Sequence, residues 1–306
     1  MSFFEQARAD DNVLLVYNRE TGHLEEEKVF EKWFMDLFYG TRLGRLFARA
    51  ILSTKTFSRI YGWLQNRPGS TWKILDFVNK YQIDINEIEK PLSYFKSFNE
   101  FFIRRLKPGA RPIEMAPDVL ISPADGRLQV YKTEMERVLP VKGQGFGLEE
   151  LLGGSRAVEP WVNGLCVKVR LAPFDYHRFC YVDYGHHGPA VHVGGRFHSV
   201  SPLALRQGLR IFQGNDREYM VLKTNNFGQV LHLDIGAMAV GRIHQHFRDG
   251  TRFSKGQEKG YFEFGGSTII LLFQPGMVKM DADIIHYSDQ DIECLVKYGS
   301  RIGKKA

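Results

Sequence analysis

The sequence predicts an α+β chain, with a mainly helical N-terminal region over residues 1–112 and a β-rich domain over residues 113–306. Between residues 24 and 106 apolar positions recur near the helical period. From Ile113 onward they gather in short runs separated by Gly, Pro and Asp turns. Neither part contains an internal repeat or a low-complexity linker. In chain order, Val13-Leu14-Leu15-Val16-Tyr17 reads as a short strand and residues 18–22 as the turn that follows. The helical stretch breaks near Gly40, at Arg67-Pro68-Gly69 and at Lys90-Pro91, where Pro removes a backbone donor and Gly weakens the helix. Strands are predicted at 128–131, 166–171, 229–235 and 268–273 among others, with helical inserts at 148–152 and 201–208. The last residues, Gly303-Lys304-Lys305-Ala306, read as a frayed basic end.

At 306 residues the chain can bury a sizeable core, as one large domain or two. Its three cysteines, Cys166, Cys180 and Cys294, are odd in number and widely spaced, which argues against a disulfide framework and for a reducing compartment. No stretch approaches the roughly 18 apolar residues of a spanning helix, and residues 1–10 lack the charge and apolar core of a signal peptide. The net charge of +6 is unevenly spread. Between Asp36 and Asp76 there is no acidic residue, yet Arg42, Arg45, Arg49, Lys55, Arg59, Arg67 and Lys73 all fall there. Leu43, Leu46, Phe47, Ala50, Ile51, Phe57, Ile60, Tyr61, Trp63 and Leu64 interleave with them near helical spacing. A basic amphipathic helix with aromatic residues suits a membrane interface, although a helical subdomain with a solvated basic face leaves the same trace. Each cation near an anionic surface adds ~1 kcal/mol, so half of this set gives about 3–4 kcal/mol. No nucleic-acid reader motif accompanies the basic stretch, so nucleic acid is not the expected partner.

The most informative segment is Phe264-Gly265-Gly266-Ser267-Thr268, which runs directly into Ile269-Ile270-Leu271-Leu272-Phe273. Two glycines at the mouth of an apolar strand forfeit packing and backbone entropy, so the main chain there needs unusual freedom. Attack by a serine hydroxyl on the carbonyl before it is one chemistry with that need. A β-bulge or a tight turn is the plain alternative. The chain carries its own comparison in Gly153-Gly154-Ser155, which closes the run at 148–152 as an ordinary helix end. Two other segments supply polar chemistry. Ser122-Pro123-Ala124-Asp125-Gly126 places one carboxylate in a turn, and Leu171-Ala172-Pro173-Phe174-Asp175-Tyr176-His177-Arg178-Phe179 places a histidine just past a strand end. A nucleophile, a base and an orienting carboxylate are what hydroxyl activation requires, and Ser267, His177 and Asp125 are the candidates.

At these residues the chain resembles the phosphatidylserine decarboxylases, a pyruvoyl-dependent, self-processing family. The resemblance runs from Arg19-Glu20-Thr21-Gly22 through Phe98-Asn99-Glu100-Phe101-Phe102 and Arg104-Arg105-Leu106-Lys107-Pro108-Gly109-Ala110-Arg111-Pro112-Ile113. It continues through Ser201-Pro202-Leu203-Ala204-Leu205, Asn215-Asp216-Arg217-Glu218 and Ile235-Gly236-Ala237-Met238-Ala239-Val240-Gly241. It implies that Ser267 attacks the carbonyl of Gly266, that an N-to-O acyl shift and elimination break the chain there, and that the serine remnant becomes a covalent pyruvoyl cofactor. Residues 1–266 and 267–306 would then stay associated as a larger and a smaller chain. The pyruvoyl carbonyl would form a Schiff base with the amino group of phosphatidylserine and act as electron sink for loss of CO₂, giving phosphatidylethanolamine, with no metal. The resemblance further implies a barrel-sandwich arrangement in the β-rich domain, phosphatidylserine in anionic membranes as the partner, room for a homodimer, and a peripheral position on the cytoplasmic face of the cell membrane.

One position departs from the family pattern. Where the family carries Asp-Tyr-His-Arg-x-His, this chain reads Asp175-Tyr176-His177-Arg178-Phe179-Cys180. The two histidines divide maturation and substrate handling between them, so both roles fall to His177, whose ordinary pKa of ~6.5 suits proton transfer at neutral pH. Cys180 stands as an auxiliary candidate, but a thiol near pKa ~8.5 is a poor base and a small buried hydrophobe is its plainer role. His186 and His187 follow closely enough to fill the vacated place. Two other functions use the same residues. A Ser-His-Asp hydrolase would not self-cleave, and the Gly-x-Ser-x-Gly elbow it favours is absent around Ser267. A lipid-binding relative that has lost processing would stay intact, with Cys180 as its sequence support. A decarboxylase for a soluble amino acid fits the basic N-terminal region less well.

Overall fold

The large sheet of this protein is built so that one strand, the one beginning at Ser267, lies at its centre. The computed structural model describes residues 14–28, 44, 54–134, 147–154, 158–196, 214–236, 242–247 and 249–306. In chain order these form β1 (Leu15–Asn18), β2 (His23–Glu26), α1 (Lys55–Gln65), α2 (Lys73–Tyr81), α3 (Phe98–Phe102), β3 (Val119–Ile121), β4 (Gly126–Lys132), α4 (Leu148–Leu151), β5 (Leu165–Leu171), β6 (Arg178–Cys180), β7 (Gly185–Val193), β8 (Arg217–Thr224) and β9 (Gln229–Gly236). There follow β10 (Ile243–Gln245), β11 (Arg252–Phe253), β12 (Glu258–Phe262), β13 (Ser267–Phe273), β14 (Val278–Met280), α5 (Ala282–Ser288), β15 (Glu293–Val296) and β16 (Arg301–Lys305).

The ten-stranded sheet has the order β11-β7-β8-β9-β13-β5-β4-β15-β1-β2, flanked by three-stranded sheets β10-β12-β6 and β14-β16-β3. Pairing is antiparallel except between β1 and β15. All seven residues of β13 are buried, as a continuous Ile/Leu run flanked by strands on both edges requires. Ile269, Leu271 and Phe273 pack with Val167, Val169, Leu171, Leu222 and Val230 in the main core. The α+β class therefore holds, and the sheets among the described residues are open rather than closed into a barrel.

The described helical part begins later than the sequence predicts. Residues 23–26 form a strand that joins the large sheet, while 29–43 and 45–53, including Arg42, Arg45 and Arg49, lie outside the described residues, as does the insert expected at 201–208. From residue 54 the expectation holds as short helices. Thr54 caps α1 by accepting from the Phe57 amide at 3.2 Å, and Ser97 caps α3 by accepting from Glu100 at 3.1 Å. Ile74, Phe77, Val78, Tyr81, Phe95, Phe98, Phe101 and Phe102 form a second, largely aromatic core. Among its members is Phe264, from the far end of the chain. The C-terminus is not frayed: Lys304 and Lys305 pair with β14, and Lys304 also with β3, so β16 is the central strand of its sheet while both lysine side chains stay exposed. Gly153 and Gly154 take φ of 71° and 91° behind α4, the helix end that the sequence comparison requires.

Candidate functional site

Ser267 opens β13 opposite Leu171 of β5 and Gly236 of β9, so its position is set from both edges of the strand. Its side chain is fully buried, and its hydroxyl meets no hydrogen-bond partner among the described residues. A buried hydroxyl without a partner costs about 1–3 kcal/mol, a penalty sites keep for chemistry rather than for folding. The special backbone falls one residue earlier than the sequence alone indicates. Gly265, not Gly266, carries φ of 142°, a conformation that side chains rarely adopt. Gly266 is partly exposed between two buried neighbours.

His177 precedes β6, and its main-chain oxygen accepts from the Phe262 amide at 3.0 Å, which lays the residue against the segment entering Ser267. Its ring packs on Phe102 with centroids 4.2 Å apart, and Nδ1 sits 3.2 Å from the Asp175 carbonyl. The Gly265 main chain is close enough to favour the charged ring, but Nε2 finds no partner with hydrogen-bond geometry among the described residues. Burial dominates and pushes the imidazole down to about 3, with Arg104 and Arg127 adding to the depression. The ordinary imidazole pKa expected from sequence is thus corrected: the buried ring is neutral at neutral pH and a weak base.

Asp125 lies in the turn between β3 and β4, where a side chain on Gly126 would come within 2.6 Å of the Arg170 carbonyl. Its carboxylate is engaged by Arg111, at 2.7 Å from Nη2 and 2.9 Å from Nε, and accepts from the Tyr298 amide at 2.8 Å. Among the described residues no hydrogen bond joins Asp125 to His177, or His177 to Ser267. Asp175, whose main-chain oxygen faces the imidazole, has its partly buried carboxylate held by Arg127 and by the Ala172 amide at 2.7 Å. Ser267 and His177 approach through the Phe262–Gly265 segment, while Asp125 acts on the electrostatics of Arg104 and Asp175.

Comparison with known proteins bears on what this arrangement is for. The family model for phosphatidylserine decarboxylase matches residues 98–304. The chain belongs to the phosphatidylserine decarboxylase family. It is 42% identical over 294 residues to the phosphatidylserine decarboxylase proenzyme of Clostridium botulinum strain Alaska E43, covering 96% of this chain and 99% of that one. It is 39% identical over 293 residues to the proenzyme of Chlamydia trachomatis serovar L2, covering 95% and 97%. The proenzyme of Clostridium perfringens strain SM101 is 37% identical over 294 residues, covering 96% and 100%.

Within this phosphatidylserine decarboxylase fold Cys180 is fully buried, with Sγ 3.7 Å from the Ser122 carbonyl. Burial pushes the thiol up, so it stays protonated at neutral pH and does not replace an imidazole. His186 accepts from Arg252 at 3.2 Å, and His187 packs against Tyr181 on β7. Sequence reasoning passed over Arg104. Among the described residues this buried guanidinium hydrogen-bonds to the carbonyls of Phe102, Phe174 and Asp175 at 3.4–3.5 Å and its Nε meets no partner, and burial draws its pKa down to about 10. The sequence also gave no sign that Asn99 binds the cleavage-like segment, except that a polar residue interrupts the aromatic face of α3.

Proposed function

We propose that this chain is a phosphatidylserine decarboxylase made as a self-processing proenzyme. In this reading the Gly266–Ser267 peptide is the bond that breaks, and Ser267 becomes the covalent pyruvoyl group. The observation that carries the reading is the conjunction of a buried Ser267 hydroxyl and a neutral His177 nitrogen, both without a hydrogen-bond partner among the described residues, with a Gly265 at φ of 142°. The same residues fit the group they would generate, since an orphaned hydroxyl in an apolar, water-excluded seat is a reactant rather than a structural bond. When formed, the pyruvoyl group supplies the electron sink for decarboxylation. Ser267 is the nucleophile toward the Gly266 carbonyl, His177 the proton acceptor held by Phe102 and the Asp175 carbonyl, and Asp125 the carboxylate whose ion pair with Arg111 fixes the turn beside them. Cys180 packs in the main core.

Substrate access defines the remaining part of the reading. Ile60, Trp63 and Leu64 on α1, with Trp72 and Leu75 at α2, are about half exposed or more, while Ser58 and Gln65 are buried. That inverts the usual helix pattern, and Arg59 and Arg67 flank the apolar face, with the Arg67 guanidinium 3.7 Å from the Trp63 ring centre. This face supports docking on an anionic bilayer that contains phosphatidylserine, which gives a peripheral protein of the cytoplasmic membrane face. Among the described residues no helix is long and apolar enough to cross a membrane.

Intact mass under denaturing conditions tests the reaction class. Wild-type protein should give two chains meeting between Gly266 and Ser267, the smaller with a blocked N-terminus, and Ser267→Ala should give one inactive chain. Cleavage of Ser267→Ala at the same place would overturn the assignment of the nucleophile. A permanently intact wild-type chain labelled by a fluorophosphonate would favour a hydrolase instead.

A further inference from the structure

We propose that Asn99 is a positioning residue for self-cleavage, fixing the main chain that leads into the Gly266–Ser267 peptide. The proposal rests on the reading of that peptide as the bond that breaks. Asn99 is buried on α3, where its Oδ1 accepts from the Phe264 amide at 2.9 Å. Its Nδ2 donates to Asn66 Oδ1 at 2.9 Å, and Asn66 Nδ2 donates to the Gly62 carbonyl at 3.1 Å. A line of hydrogen bonds thus runs from α1 through α3 to a residue 165 positions further along the chain. The Phe264 ring is seated by the same helices, with centroids 5.1 Å from Phe98, 5.0 Å from Phe102 and 5.8 Å from Tyr61.

The consequence lies in what is left free. Phe264 is held by Asn99 and its aromatic seat, and Ser267 is held in the ladder between Leu171 and Gly236. Only Gly265 and Gly266 span the gap, and Gly265 takes the unusual φ of 142°. With both ends fixed, the two glycines cannot relax by shifting either neighbour, so the Gly266 carbonyl keeps one presentation to the Ser267 hydroxyl. In the step served, the Ser267 oxygen bonds to the Gly266 carbonyl carbon and the C–N bond to Ser267 breaks. The hydroxyl proton ends on the released nitrogen, so no co-reactant is needed. Asn99 touches none of these atoms and acts through Phe264.

The test is a time course of chain cleavage by intact mass on freshly purified proenzyme. Thermal midpoints are measured in parallel on the Ser267→Ala background, where nothing is processed. Asn99→Leu keeps the size of the side chain but loses the acceptor, and should slow cleavage at least about tenfold, the worth of one well-placed hydrogen bond. Asn99→Asp keeps an acceptor for the Phe264 amide and should stay within about threefold of wild type, although its midpoint shifts as much as that of Asn99→Leu. Wild-type rates for Asn99→Leu, or equal slowing of the Leu and Asp variants, would overturn the role. Should Asn99→Leu fail to fold, Asn66→Ala at an exposed position carries the test, since it removes the brace behind Asn99 together with the Asn66 bond to the Gly62 carbonyl and leaves Asn99 itself in place. Slower cleavage in that variant supports the relay and an unchanged rate overturns it. A wild-type chain that never cleaves fails the underlying reading instead, whatever the Asn99 variants do.

Discussion

An imidazole enclosed by Phe102 and the main chain of Asp175 and Gly265 loses its proton far more readily than one in water, and burial takes His177 down to about 3. The unfolded chain returns it to about 6.5. Between those two values the unfolded state binds the extra proton, so stability rises with pH through this window and is lost as pH falls below about 6.5. His232, buried beside Asp234 and Lys259 and lowered to about 4, acts with the same sign. Each such group contributes up to ~1.4 kcal/mol per pH unit inside its window. Ser267→Ala/His177→Phe should therefore lose less stability than Ser267→Ala between pH 6.5 and roughly pH 4.5, read as urea midpoints, because phenylalanine fills the seat against Phe102 without titrating. Parallel acid limbs for the two proteins would mean that His177 is solvated and can charge in place. The same burial shapes the chemistry: His177 stays neutral, and so available as an acceptor, throughout the neutral range.

At the scale of elements, α1 and α2 turn their indoles outward while the aromatic core of the helical part is complete without them. If this face docks on lipid, Trp63→Ala/Trp72→Ala should lower binding to phosphatidylserine-containing vesicles at least about tenfold while leaving the thermal midpoint near wild type. Arg59→Glu/Arg67→Glu should remove mainly the salt-sensitive part, ~1 kcal/mol or more per site near the surface. Undiminished vesicle sedimentation of the double tryptophan variant would sink the docking face. What the sequence made legible follows the same division. The strand at 268–273 announced itself as a continuous apolar run, and those at 128–131, 166–171 and 229–235 by apolar residues alternating with polar ones. The Gly-Gly-Ser-Thr step announced itself because glycine is costly at a strand mouth. The partners of Asp125, Asp175 and Asn99 did not. Arg127 lies 48 residues from Asp175, and Phe264 lies 165 from Asn99, and no local period encodes such pairs. For the same reason the terminal lysines looked frayed, since only β3 and β14 reveal them as strand.

At the scale of the whole molecule, the stretch from 267 to 306 is woven through the rest rather than appended to it. Its β13 lies between β9 and β5, its β15 between β4 and β1, and its β16 pairs with β3. Buried charge reinforces the weave. Glu293 takes Arg170 and, at 3.3 Å, Lys168, while Arg170 and Arg127 share Glu27 on the other side. At the rim Arg19 reaches Asp281 at 3.0 Å and Asp283 at 2.7 Å. Cutting the chain before Ser267 removes one peptide bond and none of these ladders. The two processed chains should therefore co-elute on gel filtration in native buffer and in molar salt, and separate only on global unfolding, because buried pairs and strand ladders are little screened. Glu293→Gln tests the buried part of that weave. It leaves Lys168 without this carboxylate and Arg170 with Glu27 at 3.5 Å, and breaking a buried pair costs about 3–5 kcal/mol. Burial would by itself raise the Glu293 carboxyl, but Arg170 and Lys168 outweigh it and hold the group down near 2, so the attraction persists across the neutral range. The variant should unfold well below wild type at neutral pH, and the processed chains should part at a lower urea concentration than in wild type. Separation of the wild-type chains in native buffer would mean that β13 does not hold its place between β5 and β9 once its N-terminal peptide is cut.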